Sequence, residues 1–385
     1  MKNHLTGLTL LALCLGSFAR AIPAETKAEG AEEGQPNALG LYLYQVESPY
    51  CFHTVLQEQF LQDGNRNPGK FAKGTAAIDK PESLKIEWEA RNKSGSAKPT
   101  YTLSVSENED LSDAWTYTTK EEFAYVTNFK LATRYFYQVS TNFGGSISYS
   151  QVKHFSTENG MVRNLNIDGV MNFRDLGGWR NSEAKFMVKQ GMIFRSGPFN
   201  SSYAPTAIIT NAGRAEIKKL GIRTEIDLRL SSTKENGGIT SSVLSGVNYV
   251  SAPIDYSIPM SVLSNAKNAE SLKKIFHVLA DESNYPVDFH CTVGTDRTGL
   301  VAFLINGLLG VSEADLFRDY LFSNFANVSY LRERSTIENA YVGVIKNSSG
   351  STLQDKIVHT LTGIGVDIHD LSSLYYLMQE EGYRL

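Results

Sequence analysis

The sequence predicts two domains, an N-terminal β-sandwich followed by an α/β domain in which helices flank a central sheet. Between residues 76 and 157, apolar and polar residues alternate with a period of two, which is typical of half-buried strands. From residue 158 to 385, short apolar strands alternate with segments of helical spacing. A length of 385 residues is enough for each domain to bury its own hydrophobic core.

The first 21 residues are predicted to be a secretory signal peptide. Lys2 supplies a positive start, and residues 5–16 form an apolar run that is too short to span a bilayer. The Ala-Arg-Ala sequence at 19–21 has the small-x-small pattern that signal peptidase cleaves. We therefore expect a periplasmic or secreted protein without an integral membrane segment in its mature form.

Residues 22–75 are predicted to be a flexible leader followed by a segment that the pattern does not assign. Cys14 is a weaker, alternative lipoprotein site, because Leu13 precedes it where a small residue is expected. Removal of the signal leaves Cys51 and Cys291, which are far apart in the chain. A disulfide framework usually has more cysteines in a smaller domain, so we expect two free thiols.

Charge and composition limit the partners and cofactors. The net charge of -4 provides no global basic field, so no nucleic-acid partner is expected. His, Asp and Cys do not cluster at metal-ligand spacing, so neither a metal nor another cofactor is expected. Any anion must therefore bind at a local site.

The period-two region contains four predicted strands. They are SLKIEWEA (83–90), TYTLSVS (100–106), YFYQVSTN (135–142) and SISYSQVKHFST (146–157). Residues 129–139 resemble the corner-tyrosine strand of fibronectin type III domains, and Trp88 lies where that family has its core tryptophan. This resemblance implies a binding or spacer module over 76–157, whose partner it does not identify.

The α/β region combines three short apolar strands with four helical segments. The strands are RTEIDLRL (223–230), VNYVSAPI (247–254) and YPVDFHC (285–291), and the helices cover 212–221, 269–282, 297–310 and 312–324. The stretch HCTVGTDRTG (290–299) therefore connects the end of a strand to the start of a helix. Backbone N–H groups and the helix dipole make such a loop an anion site.

Cys291 lies at the base of this loop, and Arg297 follows it by six positions. The helix N-terminus and the Arg297 guanidinium should both lower the pKa of the thiol and favour the thiolate. A planar guanidinium can also hold a phosphate with two hydrogen bonds. The alternative is a buried strand-end cysteine, but a nucleophile explains the neighbouring Gly, Asp, Arg and Thr better.

The loop resembles the phosphate-binding loop of cysteine-dependent protein tyrosine phosphatases, and especially the bacterial tyrosine/dual-specificity group with the pattern H-C-x-x-G-K-D-R-T-G. Further motifs of that group are NFRDLGG (172–178), FRSG (194–197), IDLR (226–229) and DYLFSN (319–324). The resemblance covers about 160–385 and implies an α/β cysteine-phosphatase domain. It implies an enzyme that hydrolyses phosphate monoesters of a protein or a phospholipid through a phosphocysteine.

The resemblance also implies roles for individual residues. Cys291 is the nucleophile and Arg297 holds the phosphate. Asp296 is the first candidate for the general acid, Asp227 the second and Asp255 the third. Asp227 has an alternative, structural role in an ion pair with Arg229 or Arg174.

The expected substrate-binding residues come mainly from the loop. They are Thr292, Val293, Gly294, Thr295, Thr298 and Gly299. Arg174 and Asp175 either line the mouth of the site or lock a turn, and His290 is expected to orient the loop rather than transfer protons. Thr295 replaces the lysine of the group, so we expect a weaker preference for phosphoinositides.

Two other functions are alternatives to a cysteine-dependent phosphatase. Arsenate reductases also use a Cys, five residues and an Arg, but their loop lies near the N-terminus and needs further cysteines. A catalytically weak secreted protein that binds through its β-sandwich would not require an intact Cys291, Asp296, Arg297 and Thr298. A cysteine-dependent phosphatase is therefore the preferred interpretation.

Overall fold

The computed structural model describes residues 40–64, 67–91, 98–143, 145–159, 161–183, 185–257 and 263–380. The predicted signal peptide and the leader up to residue 39 lie outside the described residues. The described chain divides into two compact units. The first comprises 40–51, 86–124 and 135–155, and the second comprises 52–85, 125–134 and 156–380.

The first unit carries two sheets of antiparallel strands. One has the order β1-β2-β5, and the other has the order β4-β3-β6-β7, with β8 also paired to β6. The strands are β1 (Gly40–Leu43), β2 (Leu84–Arg91), β3 (Tyr101–Ser106), β4 (Trp115–Thr119), β5 (Phe123–Val126), β6 (Arg134–Phe143), β7 (Ser146–Tyr149) and β8 (Lys153–Ser156). Each of the four segments with predicted strand pattern overlaps at least one of these strands.

Aromatic side chains fill the core of the first unit. Trp88 of β2 packs against Tyr101 of β3 with ring centroids 5.5 Å apart, so a contact joins the two sheets. Tyr135 and Tyr137 of β6 both pack against Phe155 of β8. Burial alternates along β2, as the period-two pattern predicts.

The second unit is built on a mostly parallel five-stranded sheet with the order β12-β11-β13-β10-β9. Its strands are β9 (Arg174–Asp175), β10 (Ile193–Ser196), β11 (Thr224–Asp227), β12 (Asn248–Ser251) and β13 (Val287–His290). β9 alone is antiparallel to its neighbour, and β10 to β13 are parallel. The carboxyl ends of the parallel strands therefore meet at one edge, where the loop after β13 begins.

Helices complete the second unit. They are α1 (Val55–Gln62), α2 (Asn211–Leu220), α3 (Ala266–Leu279), α4 (Asp296–Leu308), α5 (Glu313–Phe322), α6 (Arg334–Ile337), α7 (Gly343–Lys346), α8 (Leu353–Gly363) and α9 (Ile368–Leu377). The helices predicted at 212–221, 269–282, 297–310 and 312–324 are confirmed as α2 to α5. Of the helices in the described ranges, none is both long and apolar enough to cross a membrane.

Each face of this sheet has its own apolar core. Ile226, Val287 and Phe289 belong to the larger core, which includes nearly the whole of α4. Phe194 belongs to the second core, together with Ile217 of α2. Burial on both sides explains the near-continuous apolar strands of the sequence, and it holds the loop between β13 and α4 on a rigid base.

Candidate active site

Residues 291–295 connect the end of β13 to the first turn of α4, as predicted from the strand-loop-helix pattern. Within the described ranges, the N–H groups of Thr292, Gly294 and Thr295 donate to no backbone carbonyl. The first N–H groups of α4 have no intrahelical acceptor because the helix begins there. We call this ring of donors, residues 291–297, the cup, and its chemistry suits an anion.

Two glycines are required for the shape of the cup. Gly294 has a φ of +71°, and a Cβ there would lie 2.5 Å from the backbone of Ser196. Gly299 was expected among the substrate-binding residues. A Cβ on Gly299 would meet the ring of Tyr320 on α5, 2.8 Å away, so this glycine allows two helices to pack closely.

Cys291 lies at the base of the cup and is buried. Burial raises the pKa of its thiol, but the charge of Arg297 and hydrogen bonds from Thr298 and from the Val293 N–H lower it by more. The pKa is therefore below its usual value, as the sequence predicts. The Thr298 hydroxyl has no other hydrogen-bond partner in the described part of the chain, which leaves it directed to the sulfur.

Arg297 is held on both sides of its guanidinium. Its Nη1 donates to a carboxylate oxygen of Glu235 at 2.8 Å, and its Nη2 donates to the Thr292 hydroxyl at 2.9 Å. Glu235 lies in the loop after β11, and no local pattern in the sequence indicates its role. Its carboxylate also accepts the N–H of Leu230 at 2.6 Å, so the loop itself fixes its position.

Two buried side chains hold the cup from below. The Asn172 amide donates to the carbonyls of Val293 and Gly294 at 3.1 and 2.9 Å, and Arg195 donates to the Gly294 carbonyl at 2.8 Å. Because these carbonyls are bound from below, the N–H groups of the same loop remain available above. Asn172 and Arg195 belong to the NFRDLGG and FRSG motifs, whose role in the cup the sequence did not reveal.

Arg174 and Asp175 are buried, and each makes a buried ion pair. Arg174 donates to Asp319 at 2.7 Å, and Asp175 accepts from Arg163 at 2.6 Å. Of the two roles left open for them, this placement favours locking the fold rather than lining the mouth of the site. Asp319 also pairs with Arg195, so one carboxylate neutralises two guanidinium groups beneath the cup.

Replacing Asp319 with alanine should destabilise the protein by about 3–5 kcal/mol, because two buried guanidinium groups lose their counter-charge. Urea unfolding measures this change. Glu270 of α3, in an exposed pair with Lys273, provides the control, and Glu270→Ala should cost about 0.5 kcal/mol or less. Equal effects of the two substitutions would contradict the prediction.

His290 and Asp227 lie behind the cup rather than within it. His290 Nε2 lies 2.8 Å from Glu225, and burial, which lowers the pKa of the imidazole, is outweighed by Asp227 and Glu225, so the pKa rises to about 9. Asp227 binds Arg229 and accepts from the Tyr249 hydroxyl at 2.9 Å. The ion pair with Arg229 is the structural alternative stated for Asp227.

The two other candidate acids have different environments. Both oxygens of Asp296 accept from Arg332, at 3.0 and 2.8 Å, and the Tyr320 hydroxyl donates to one of them. Asp255 follows β12, and its Oδ1 accepts the N–H of Ser257 at 2.9 Å. Hydrogen bonds from Ser257 lower the pKa of Asp255 most, with a contribution from the charge of Arg297.

Thr295 is fully buried, although the related position was expected to face the substrate. Its hydroxyl donates to the Val293 carbonyl at 3.4 Å and accepts from the Asn172 amide at 3.3 Å. A lysine could not replace Thr295 here without moving this packed side of the loop.

Comparison with known proteins identifies related sequences. A profile described as "Tyrosine phosphatase family" matches residues 165–363, just over half of the 385 residues. A Cupriavidus necator protein named tyrosine-protein phosphatase H16_A0669 is 28% identical over 187 residues, which are 43% of this chain and 65% of that protein. A tyrosine-protein phosphatase of Nostoc commune is 41% identical over 51 residues, which are 13% of this chain and 17% of that one. The chain thus spans less than two thirds of either relative.

Among solved structures, the core catalytic domain of the PP-IP phosphatase SIW14 from S. cerevisiae, in complex with citrate, matches with 17% identity. The match covers 40% of this chain and 83% of that one, with a TM-score of 0.27.

Proposed function

The chain belongs to the tyrosine phosphatase family, and on that premise we propose that it hydrolyses phosphate monoesters through a phosphocysteine on Cys291. The observation that carries this proposal is the lowered pKa of Cys291 at the base of a cup of N–H donors beside Arg297. A thiolate and an anion-binding loop are the two parts that such a reaction needs.

The reaction proceeds in two displacements. The Cys291 thiolate attacks phosphorus, the P–S bond forms, the ester P–O bond breaks, and the leaving oxygen takes a proton from a general acid. Water then attacks the phosphocysteine, the P–S bond breaks, and phosphate and thiolate are released. Arg297 and the loop N–H groups stabilise the charge on the equatorial oxygens in both steps, and Thr298 donates to the departing sulfur.

The proposed substrates are phosphotyrosine proteins first, with phosphoserine, phosphothreonine or phosphoinositides as further substrates. A panel of phosphopeptides and an inositol lipid, assayed for released phosphate with the full chain, tests this proposal. Hydrolysis of the tyrosine peptide supports it, and dual specificity requires release from the serine peptide too. No release from any member would favour the alternative, a secreted binding protein with a catalytically weak domain.

We propose Asp255 as the general acid ahead of Asp296. The carboxylate of Asp296 is already bound by Arg332 and Tyr320, whereas within the described ranges the side chain of Asp255 accepts only from its own loop. A phosphate bound at Arg297 would offset the positive charge that lowers the pKa of Asp255. The resemblance placed Asp296 first and Asp255 third as the general acid, and this proposal exchanges them. Asp227, buried beneath the cup, is the last candidate.

Asp255→Asn should therefore lower kcat for phenyl phosphate by about 10²- to 10⁴-fold, the usual contribution of a general acid. The loss should be much smaller for para-nitrophenyl phosphate, whose leaving group needs little protonation. Asp296→Asn is the matched variant and should lower the rates for both substrates by similar factors. A leaving-group dependence confined to Asp296→Asn would reverse the assignment.

The sandwich and the location of the protein are proposed on separate grounds. The Tyr137 hydroxyl donates to the Tyr44 carbonyl and accepts the Val46 N–H, both at 3.0 Å, which supports a fibronectin type III-like module with a corner tyrosine. The pattern of residues 1–21 supports export to the periplasm or beyond. N-terminal sequencing of the exported protein tests this, and an acylated Cys14 would indicate a lipoprotein.

A further inference from the structure

A row of polar side chains crosses one face of the sheet immediately behind the cup. Asp288 of β13 lies opposite Glu225 of β11, and His290 lies opposite both Asp227 and Ser196. Residues in register on neighbouring strands project to the same face. All five side chains are buried, and neither the proposed reaction nor the family motifs assign a role to Asp288.

Asp288 and Glu225 are two acids in register in a buried layer, where both cannot carry a charge. Glu225 lies 2.8 Å from the imidazole of His290, whose pKa is raised to about 9, so it has a cationic partner. The hydrogen-bond partner of Asp288 is the hydroxyl of Ser196 at 3.0 Å, and its Oδ1 has none in the described ranges. Burial accordingly raises the pKa of Asp288 to about 8.

The other groups near Asp288 do not supply a second cation. His290 on its own strand and Glu225 on β11 are the charged groups that act on it. Ser196 of β10 is the hydrogen-bond partner of Asp288, and the buried residues of α2 are the uncharged Gly213 and Ile217. The proton is therefore needed on Asp288 itself.

The hydroxyl of Ser196 gives an independent reason for that proton. Its Oγ lies 2.7 Å from the carbonyl of Gly197, which can only accept a hydrogen bond. A hydroxyl has one proton, so Ser196 that donates to Gly197 must accept from Asp288. A proton on the Asp288 carboxyl then accounts for the 3.0 Å contact with Ser196.

This chain of hydrogen bonds ends under the cup. Gly294 lies directly on the backbone of Ser196 and Gly197, since a Cβ there would come within 2.5 to 2.7 Å of their atoms. The Gly197 N–H is in turn bound to the Met171 carbonyl at 2.9 Å. A shift of the Ser196–Gly197 peptide would therefore move Gly294 and the N–H groups around it.

Resting on the phosphatase activity proposed above, we propose that Asp288 is a proton-carrying positioning residue of the phosphate-binding cup. Neutral Asp288 donates to Ser196, Ser196 donates to the carbonyl of Gly197, and Gly197, whose N–H lies against Gly294, stays in place. When Asp288 ionises, the Ser196 hydroxyl turns to the carboxylate, the Gly197 carbonyl loses its donor, and the cup loosens. The cup is thus sensitive to alkaline pH independently of its thiolate and its general acid.

Asp288→Asn tests the proposal, because the asparagine amide can donate to Ser196 at every pH. We expect the ratio of kcat/KM for para-nitrophenyl phosphate, wild type over Asp288→Asn, to fall about tenfold between pH 7 and pH 9, since a group with a pKa of about 8 is about nine-tenths ionised at pH 9. The titrations of Cys291 and the general acid cancel in this ratio. A ratio that stays constant would overturn the proposal, whereas Asp288→Leu, which lacks a donor, should be impaired even at pH 7.

Thermal unfolding separates this inference from the proposed activity. The folded pKa of Asp288 lies above the unfolded value of about 3.9, so the folded state binds the extra proton between about pH 4 and pH 8. As the pH rises from about 4 to 8, the Tm of the wild type should therefore fall relative to the Tm of Asp288→Asn. Above pH 8 the two Tm curves should run parallel. Parallel curves throughout would refute the protonated Asp288 even if no phosphate ester is hydrolysed.

A measurement on the wild type alone covers the case in which the variant does not fold. Infrared spectra of the full chain with ¹³C-labelled aspartate should show the carbonyl band of a protonated aspartic acid at pH 7, shifted by the label and lost by pH 9. Absence of this band at pH 7 would overturn the proposal. Failure of the wild type to hydrolyse any ester, with the band present, would instead refute the proposed function.

Discussion

Replacing Cys291 with serine is expected to lower kcat for para-nitrophenyl phosphate by about four orders of magnitude or more, as the removal of a catalytic nucleophile usually does. Burial raises the pKa of the Cys291 thiol, but Arg297 and Thr298 lower it by more and so favour the thiolate. A serine hydroxyl keeps its proton at neutral pH, and the neighbouring His290 projects to Glu225 behind the cup rather than toward residue 291. Release of para-nitrophenol, followed by absorbance, measures the loss.

Cys51→Ser is the matched control, because Cys51 is the other cysteine of the described chain and lies in the first unit. Its kcat should equal that of the wild type. Inorganic phosphate should still raise the Tm of Cys291→Ser, since the N–H groups of the cup and Arg297 remain. Undiminished hydrolysis by Cys291→Ser would refute the cysteine mechanism, and loss of the phosphate effect would show that the variant has a damaged cup.

Arg297→Lys should lower kcat by about 10²- to 10³-fold, the range found when a charge-stabilising donor is removed from an active site. Arg297 is kept in one plane by Glu235 on one side and by Thr292 on the other. A lysine keeps the charge, but its ammonium cannot make two parallel hydrogen bonds to phosphate. Steady-state kinetics with para-nitrophenyl phosphate separates the effects on kcat and KM.

Glu235→Gln provides the comparison for this substitution. The amide keeps an oxygen for the Arg297 guanidinium but removes the negative charge, so the guanidinium is positioned less firmly. We expect a loss of about tenfold, smaller than that of Arg297→Lys, because a charged hydrogen bond becomes a neutral one. If Arg297→Lys retains more than a tenth of the wild-type kcat, the positive charge at residue 297 is sufficient to hold the phosphate, and the two parallel hydrogen bonds are not needed.

Local features of the chain were predictable from the sequence. The strand that ends at His290, the loop from Cys291 and the helix that begins at Asp296 follow one another within 22 residues, and each has its own periodicity or turn signal. Helices α2 to α5 were predictable for the same reason. Strands β9 and β10 were not predicted, because β9 has only two residues and the FRSG sequence that overlaps β10 was interpreted only as a family motif.

The residues that support the site could not be predicted in this way. Glu235 meets Arg297 across 62 positions, and Asn172 reaches the carbonyls of Val293 and Gly294 across 121 and 122. Hydrogen bonds over such separations have no local pattern in the chain. The motifs that contain Asn172 and Arg195 indicated a family without indicating that these two side chains hold the loop.

The sequence by itself determined the strand, the loop from Cys291 and the helix that carries Arg297, because neighbouring residues in one short segment specify that local geometry. Only the tertiary structure decided that Thr295 is buried and that Arg174 and Asp175 each form a buried ion pair with another residue. It also placed Asp288 opposite Glu225, since the register of two parallel strands brings together acids 63 residues apart in number. Burial then makes their charges incompatible, and that electrostatic cost depends on the fold rather than on either residue alone.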